Sequence, residues 1–198
     1  MNQILLTGFE PFHTATVNPT KEVVLALEAE NINGLTTAVL PVEFGRSWKV
    51  LETLIKEQQP DYVIALGQAE GRSQITPEQI AINLDDARIP DNAGNQPSNQ
   101  KIIADGEDGL FTTLPALEIV ELLRNSNIPA AVSLSAGTFV CNHVFYQLQH
   151  HLKNSKVRSG FIHVPLLDTQ IAEFPGQPSM PLERMIEGIK AILELLHE

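Results

Sequence analysis

The chain has 198 residues, one cysteine and a formal net charge of −11, and 43% of its residues are hydrophobic. This length predicts a single domain over residues 1–198 with a sizeable core, and one cysteine excludes an internal disulfide and fits a reducing cytoplasm. The acidic balance and the lack of a basic stripe argue against nucleic acid or an anionic membrane as partners.

Apolar runs and helical patterns alternate along the chain, which predicts an α/β fold. The predicted elements in chain order are strand 3–9, helix 18–29, strand 36–42, helix 45–59, strand 61–67, helix 115–125, strand 130–135, helix 138–152, strand 159–167 and helix 182–196. Short strands separated by helices indicate a parallel sheet covered on both faces. Such sheets bind ligands beyond the carboxyl ends of their strands, so we expect functional residues at that edge.

Residues 85–112 form the one long irregular stretch, which is dense in Pro, Gly, Asn and Asp. A loop of this size inside a small domain is usually functional or partly disordered. We therefore interpret this segment as a flap or wall of an active site.

The only cysteine, Cys141, follows a predicted strand and falls in the first turn of a predicted helix. On an apolar helix face, a lone cysteine is usually a small core residue. Its position supports a second interpretation, because Gly137 allows a turn and Ser135 or Thr138 could cap the helix. Free N–H groups and the helix dipole would then favour a thiolate.

A reactive thiol needs more than the helix dipole, which contributes about 0.3–1 kcal/mol against about 1.4 kcal/mol for one pKa unit. Imidazole is the usual partner. His163 ends an apolar predicted strand, where it either lines the ligand crevice or is a satisfied core histidine. His143 lies on another face of the helix that bears Cys141, and His150 and His151 lie in its last turn, so these three favour structural roles.

Glu78 is a candidate to orient such an imidazole. In residues 76–86 the alternation of Glu78 with apolar residues favours a strand, which would bury the carboxylate and require a partner for it. A helix that begins at Thr76 with Pro77 in its first position is the competing interpretation.

Seven runs spread over nearly the whole chain are typical of one family. They are LLTGFEPF (5–12), NPT (18–20), LPVEFGRS (40–47), GQAEGRSQITPEQIAINLDDARIPDNAGNQP (67–97), TLP (113–115), SAGTFVCNHVFY (135–146) and GFIHVPLL (160–167). On these residues the chain resembles the type I pyroglutamyl peptidases, also called pyrrolidone-carboxylate peptidases.

The resemblance implies a cysteine peptidase that removes an N-terminal pyroglutamyl residue from peptides through a thioester acyl-enzyme. It also implies a three-layer α/β/α sandwich with a mostly parallel central sheet, a cytoplasmic location and a homotetramer. The chain has no metal-binding or nucleotide-binding motif, so we expect no metal and no cofactor.

By motif match, the resemblance implies a catalytic triad with Cys141 as nucleophile, His163 as acid and base, and Glu78 as the residue that orients the imidazole. It also implies that Arg88 supports the oxyanion or the loop. A salt bridge from Arg88 to a neighbouring aspartate, Asp85 or Asp86, is an equally simple role for this arginine.

A pyroglutamyl ring is an uncharged lactam, so its pocket should be an apolar slot with a few polar groups. The resemblance implies slot walls from Phe9, Phe12, Ile89, Phe139 and Val140, a lactam contact from Gln68, and an Asn18 that holds the adjoining loop. Plain core packing for the phenylalanines and a solvated turn for Gln68 are the alternatives.

This chain departs from the usual family pattern at His13-Thr14, Glu70 and Pro181. His13-Thr14 replace two glycines and make their loop stiffer, Glu70 near the mouth could alter the preference for the residue after pyroglutamate, and Pro181 affects the start of the last helix. A thiol amidohydrolase that acts on another lactam or amide, and a non-catalytic protein that keeps the fold, are the rival functional hypotheses.

Overall fold

Buried apolar strands form the middle of the molecule, which is known from a computed structural model that describes residues 1–197. The strands are β1 (Ile4–Phe9), β2 (Leu35–Leu40), β3 (Tyr62–Gln68), β4 (Thr76–Pro77), β5 (Ile80–Ile82), β6 (Gly109–Phe111), β7 (Arg158–Val164), β8 (Leu166–Leu167) and β9 (Ser179–Met180). The helices are α1 (Pro19–Ala29), α2 (Arg46–Gln58), α3 (Ala116–Asn125), α4 (Val140–Leu152) and α5 (Leu182–His197). Among the described residues, no helix is both long enough and apolar enough to cross a bilayer.

The main sheet has five strands in the order β2-β1-β3-β7-β4. β1 pairs in parallel with β2 and β3, and β3 pairs in parallel with β7. Only the short edge strand β4 is antiparallel to its neighbour, β7. The expectation of an α/β fold with a mostly parallel central sheet is therefore confirmed.

Helices cover both faces of this sheet and make it the middle of three layers. Apolar residues of α1, α3 and α5 pack into one buried cluster on one face, and those of α2 and α4 pack into a second cluster on the other. α2 shows why: Trp48, Leu51 and Ile55 recur at helical spacing and are buried, while the charged residues between them face outward. β1, β3 and β7 lie between both clusters, which explains their continuous apolar sequences.

The strand order places a crevice beyond the carboxyl ends of β1 and β3. The chain leaves β1 through α1 to reach β2 on one side, then returns through α2 to β3 on the other side of β1. This change of direction is the point at which open parallel sheets bind ligands. Phe9 and Gln68 end the two strands that flank the crevice.

Two helix starts follow directly from local sequence. Asn18 caps α1 with its Oδ1 atom, which accepts a hydrogen bond from the Thr20 N–H at 3.0 Å, and Pro19 occupies the first helical position. The carbonyl of Pro181 accepts hydrogen bonds at the start of α5, including one of 3.2 Å from the Met185 N–H. Because this position needs no N–H donor of its own, the proline there is compatible with the helix.

Residues 130–135 were predicted as a strand, and this prediction is wrong. The segment lies parallel to residues 75–79 but forms only isolated bridges, Ala130 with Ile75 and Ser133 with Glu78. The Ala131 N–H donates to the carbonyl of Ile75 at 3.2 Å, and the Ser133 N–H donates to the carbonyl of Pro77 at 2.9 Å. The ladder has a gap between these two hydrogen bonds.

Pro77 explains the gap in this ladder, because a proline has no N–H to donate to the neighbouring chain. The same residue ends β4, so the strand predicted over 76–86 is divided into β4 and β5, with Glu78 between them. The long segment 85–112 is irregular as predicted, except that its end contributes β6.

Gly8 allows α1 to pack closely against β1. A Cβ atom at this position would lie 2.5 Å from the backbone oxygen of Thr20. In the same contact, the Phe9 N–H donates to Thr20 Oγ1 at 2.8 Å, which fixes the end of β1 against the first turn of α1.

We expect Gly8→Ala to lower the free energy of unfolding by about 1–3 kcal/mol, because the new methyl group overpacks against a backbone atom. Urea denaturation measures this change. Glu57→Ala, an exposed substitution on α2, is the control and should stay within about 0.5 kcal/mol of the wild type. An equal stability for Gly8→Ala and the wild type would contradict the close packing.

Candidate active site

A cavity of about 240 Å³ opens beyond the carboxyl ends of β1, β3 and β7. Its walls include most of the residues that the sequence predicted for a ligand pocket: Phe9, Phe12, Asn18, Gln68, Phe139, Val140, Cys141 and His163. We call it the thiol cavity. Ile89 is the exception among the predicted pocket residues, because it lines a neighbouring cavity.

Aromatic rings form much of the wall of the thiol cavity. Phe139 packs against Phe12 with ring centroids 6.0 Å apart and meets the edge of Phe44 at 5.4 Å. Phe9 is 3% exposed and also packs against Phe161 in the core, so it serves both as core and as wall. Most of this surface offers no charge to a ligand.

Cys141 is the second residue of α4 and is half-buried at the thiol cavity. Gly67 on β3 makes room for it, since a Cβ atom on Gly67 would come within 3.0 Å of the Cys141 Sγ atom. The thiol therefore lies between the start of a helix and the end of a strand.

The expected side-chain cap for α4 is wrong. Phe139 is the N-cap residue and makes no side-chain capping bond. Thr138 Oγ1 instead donates to the carbonyl of Asp86 at 2.7 Å, and Ser135 Oγ accepts from the Gly137 N–H at 3.2 Å. The first-turn N–H groups of α4 are consequently left without a side-chain acceptor and are available to an anion.

His163 on β7 and Glu78 form a buried pair. The His163 Nδ1 atom lies 2.7 Å from Glu78 Oε1, and the two residues are 4% and 0% exposed. Because a carboxylate only accepts hydrogen bonds, Nδ1 carries the proton and Nε2 is the ring nitrogen left free to take another. The structure thus brings Cys141 and a base oriented by Glu78 to one cavity.

Arg72 also binds Glu78, and sequence reasoning missed it. Its Nη1 atom donates to Glu78 Oε1 and to Thr76 Oγ1, each at 2.6 Å, and Nη2 donates to the carbonyl of Ser135 at 2.8 Å. A signal was present, because Arg72 is the one cation in the run that leads to a carboxylate expected to be buried. It lines the thiol cavity beside that carboxylate.

The pKa values of these groups follow from burial and from their partners. Burial raises the pKa of Glu78, but hydrogen bonds from His163 and Arg72 and the charge of the imidazolium outweigh it and hold this pKa below its usual value. Burial lowers the pKa of His163, although Glu78 opposes the change. Burial, reinforced by the negative charge of Glu78, raises the pKa of the Cys141 thiol to about 12.

The resting pair is therefore a neutral thiol beside a neutral imidazole. The start of α4 does not by itself hold Cys141 as a thiolate, in line with the small energy of a helix dipole. The sulfur becomes anionic only when a base removes its proton, and His163 Nε2 is the base in the same cavity.

His143, the other buried histidine of α4, has a different environment. Its Nδ1 atom lies 2.8 Å from Asp85 Oδ2, and its Nε2 atom accepts a hydrogen bond from the Gly45 N–H at 3.2 Å. As predicted, it points away from Cys141. The contact joins the long segment 85–112 to α4 and to the start of α2.

A second, larger cavity of about 640 Å³ adjoins the first, and we call it the outer cavity. It shares Phe12, Gln68, Glu70 and Phe139 with the thiol cavity. Departures from the family pattern at His13, Thr14 and Glu70 all line this outer cavity.

Arg88 lines the outer cavity with Ile89 and not the thiol cavity. The simple salt bridge considered for it is wrong: among residues 1–197, Arg88 forms no ion pair with Asp85 or Asp86. Asp85 binds His143 instead. Arg88 is exposed, and its carbonyl accepts a hydrogen bond from Gln96 at 3.1 Å.

Asn18 and Gln68 are both held by other side chains or backbone groups. Asn18 Nδ2 donates to the carbonyl of Glu10 at 3.0 Å, so it fixes the loop after β1 as expected. Gln68 is half-buried and bonded to Gln170, which differs from a solvated turn. Within residues 1–197, no group of three or more His, Cys, Asp or Glu side chains is arranged to hold a metal ion.

Comparison with known proteins identifies the family. A family model described as pyroglutamyl peptidase matches residues 2–198. The pyrrolidone-carboxylate peptidase of Bacillus licheniformis is 48% identical over 99% of this chain and 94% of its own length, and that of Vibrio parahaemolyticus is 46% identical over 99% and 93%. The crystal structure of Bacillus amyloliquefaciens pyroglutamyl peptidase I matches with a TM-score of 0.92 at 44% identity, over 97% of this chain and 95% of that one. These matches confirm the resemblance seen in the sequence, and the chain belongs to the pyroglutamyl peptidase family.

Proposed function

We propose that this protein is a cysteine peptidase that hydrolyses the amide bond between an N-terminal pyroglutamyl residue and the rest of a peptide. One observation carries the proposal: a thiol and a carboxylate-bound imidazole share one small, aromatic-lined cavity at the switch point of the sheet. The family to which the chain belongs supports the same activity.

The size and surface of the thiol cavity suit a single uncharged ring. Its volume of about 240 Å³ is below the roughly 300–1,000 Å³ of pockets that hold drug-sized ligands. Phe9, Phe12, Phe139 and Val140 offer apolar contact, and an uncharged lactam needs no counter-ion there. A free α-amine, by contrast, would lose hydration against these apolar walls.

In the first step, His163 Nε2 takes the proton of the Cys141 thiol while Sγ attacks the pyroglutamyl carbonyl carbon. Because burial raises the pKa of this thiol to about 12, the attack requires a base that takes the proton, and His163 is that base. Glu78 stabilises the imidazolium that forms. The free N–H groups at the start of α4 are positioned to stabilise the negative oxygen of the tetrahedral intermediate.

In the second step, the imidazolium of His163 gives its proton to the leaving amine, the C–N bond breaks, and a thioester on Cys141 remains. Water then attacks the thioester carbonyl while His163 Nε2 takes a proton from it. Collapse of this second intermediate returns the proton to the sulfur and releases pyroglutamate. The chain thereby regains its starting state.

Arg72 and Arg88 have different parts in this proposal. Arg72 is a positioning residue, because it holds the Glu78 carboxylate that orients His163. The outer-cavity location of Arg88 favours support of the 85–112 segment over contact with the oxyanion. The outer cavity itself would receive the residue that follows pyroglutamate.

Location and assembly belong to the proposal as well. A cytoplasmic location fits the single free cysteine, which a reducing compartment preserves. A homotetramer follows from the resemblance to the family. Peptides with an N-terminal pyroglutamyl residue are the proposed partners, with no nucleic acid and no membrane.

We expect Cys141→Ser and His163→Ala to fold normally and to lose at least about 10³-fold in kcat/KM on pyroglutamyl p-nitroanilide. His150→Gln, which changes a histidine of α4 outside the cavity, should retain activity. Thiol-dependent hydrolysis of other amides, with no hydrolysis of the pyroglutamyl substrate, would indicate the rival amidohydrolase. If Cys141→Ser leaves the activity unchanged, the thiol mechanism is contradicted.

The pH profile tests the role of Arg72. The pKa of His163 is lowered chiefly by burial, and the positive charge of Arg72 lowers it further; Arg72 also contributes to the lowered pKa of Glu78. In Arg72→Gln both pKa values rise, so the protonated forms persist to higher pH. We therefore expect the acidic limb of kcat/KM to move toward neutral pH, measured between about pH 4 and 8.

Arg46→Gln is the matched control, because Arg46 forms an exposed ion pair on α2. Its acidic limb should coincide with that of the wild type. A limb that stays in place or moves to lower pH in Arg72→Gln would contradict the assigned contact between Arg72 and the triad.

Glu70 should influence the residue after pyroglutamate, because it is exposed and lines both cavities. We expect Glu70→Gly to lower the kcat/KM ratio of pyroglutamyl-lysine over pyroglutamyl-glutamate by about two- to five-fold, the size of one exposed charge interaction. Added salt should reduce this difference. Glu57→Gln, whose carboxylate lines neither cavity, should leave the ratio unchanged; an unchanged ratio in Glu70→Gly would place the leaving residue elsewhere.

A further inference from the structure

A fully buried glutamine, Gln170, lies behind the thiol cavity. It belongs to the 3₁₀ turn Asp168–Gln170 that follows β8, and its exposed fraction is 0%. Its side chain reaches Gln68 at the end of β3, a residue 102 positions away in the chain. Buried amides are rarely left without specific partners, so the partners of Gln170 define what it does.

The backbone partners of Gln170 determine which amide atom is which. The Leu167 N–H donates at 2.9 Å, so the atom that receives it must be the oxygen Oε1. The Nε2 group then donates to the carbonyl of Val17 at 3.3 Å. Both assignments agree, and the orientation of the Gln170 amide is therefore fixed by backbone groups alone.

This orientation determines the orientation of Gln68. The second N–H of Gln170 Nε2 points at Gln68 at 3.1 Å, so the Gln68 atom at that point must be the acceptor Oε1. The NH₂ group of Gln68 is consequently turned to its other side. No protein acceptor for it is found within residues 1–197, and Gln68 lines the thiol cavity.

We propose that Gln170 is a positioning residue that holds the Gln68 amide so that its NH₂ group donates to the lactam carbonyl oxygen of the substrate. This inference rests on the proposed function and deepens it, because it names the residue that orients Gln68, the lactam contact expected from the resemblance. A ring without that carbonyl leaves the NH₂ group unpaired. Polar sites reject such analogues strongly.

Gln170→Glu tests the orientation with almost no change of shape. A carboxylate still accepts from Leu167 but can donate neither to Gln68 nor to the carbonyl of Val17. Gln68 therefore turns its NH₂ group toward the carboxylate and presents its oxygen to the lactam carbonyl. Two facing acceptors repel. We expect kcat/KM on pyroglutamyl p-nitroanilide to fall by about 10- to 100-fold, mainly through KM.

A mutant cycle separates positioning from plain structural support. Gln170→Glu, and Gln170→Met as a second variant of similar length, are each measured in the wild-type and in the Gln68→Ala background. If Gln170 acts through Gln68, its loss costs far less once Gln68 is already alanine. Equal fold-losses in both backgrounds would overturn the proposal. Gln58→Glu, at the exposed end of α2, is the control and should match the wild type.

A second readout does not depend on turnover. The fragment 2-pyrrolidinone should protect Cys141 from alkylation by iodoacetamide in the wild type, and the concentration required should rise about 10- to 100-fold in Gln170→Glu. The alkylation rate without the fragment should be the same in both, which shows an intact site. If the wild type hydrolyses the substrate but the Gln170 and Gln68 substitutions act independently, this inference alone is overturned. If 2-pyrrolidinone protects Cys141 but the substrate is not hydrolysed, the proposed activity alone is overturned. Equal protection in both variants, or none in the wild type, would overturn the role given to Gln170.

Discussion

The buried contact between Glu78 and His163 is the constraint on which the rest of the site depends. A carboxylate that is fully removed from water is strongly destabilising unless charged or hydrogen-bonding partners surround it. Here two partners come from separate places in the chain, His163 from β7 and Arg72 from the loop after β3, and they meet Glu78 at the interrupted edge of the sheet. The edge strand, the loop and the central strand must all be correctly placed for this carboxylate to be tolerated.

The fold places the thiol of Cys141 by a separate route. α4 begins at the switch point with its first-turn N–H groups uncapped by side chains, and Gly67 leaves the space that Cys141 occupies. Burial raises the pKa of the Cys141 thiol and favours its protonated form, so the sulfur needs a base such as His163 before it can form a bond to carbon.

Local sequence patterns were sufficient to predict the layers of the fold and several site residues, but they did not predict contacts between distant segments. Alternating apolar runs predicted the layers, and motif runs pointed to Cys141, His163 and Glu78, because these signals lie within short segments. The strand predicted at 130–135 failed because its pairing depends on Pro77 in a distant segment, which removes one donor. Arg72 and Gln170 were missed for the same reason: each acts on a residue that only the folded chain brings near.

The link from Asp85 through His143 to Gly45 joins the 85–112 segment, which lines the outer cavity, to the helix that bears Cys141. A shift of that segment would therefore displace α4 at a point two residues from Cys141. His13, Thr14 and Glu70 line the outer cavity as well, but none of them takes part in that link. Substitutions at these three positions can therefore change the lining of the outer cavity without breaking the connection between the 85–112 segment and α4.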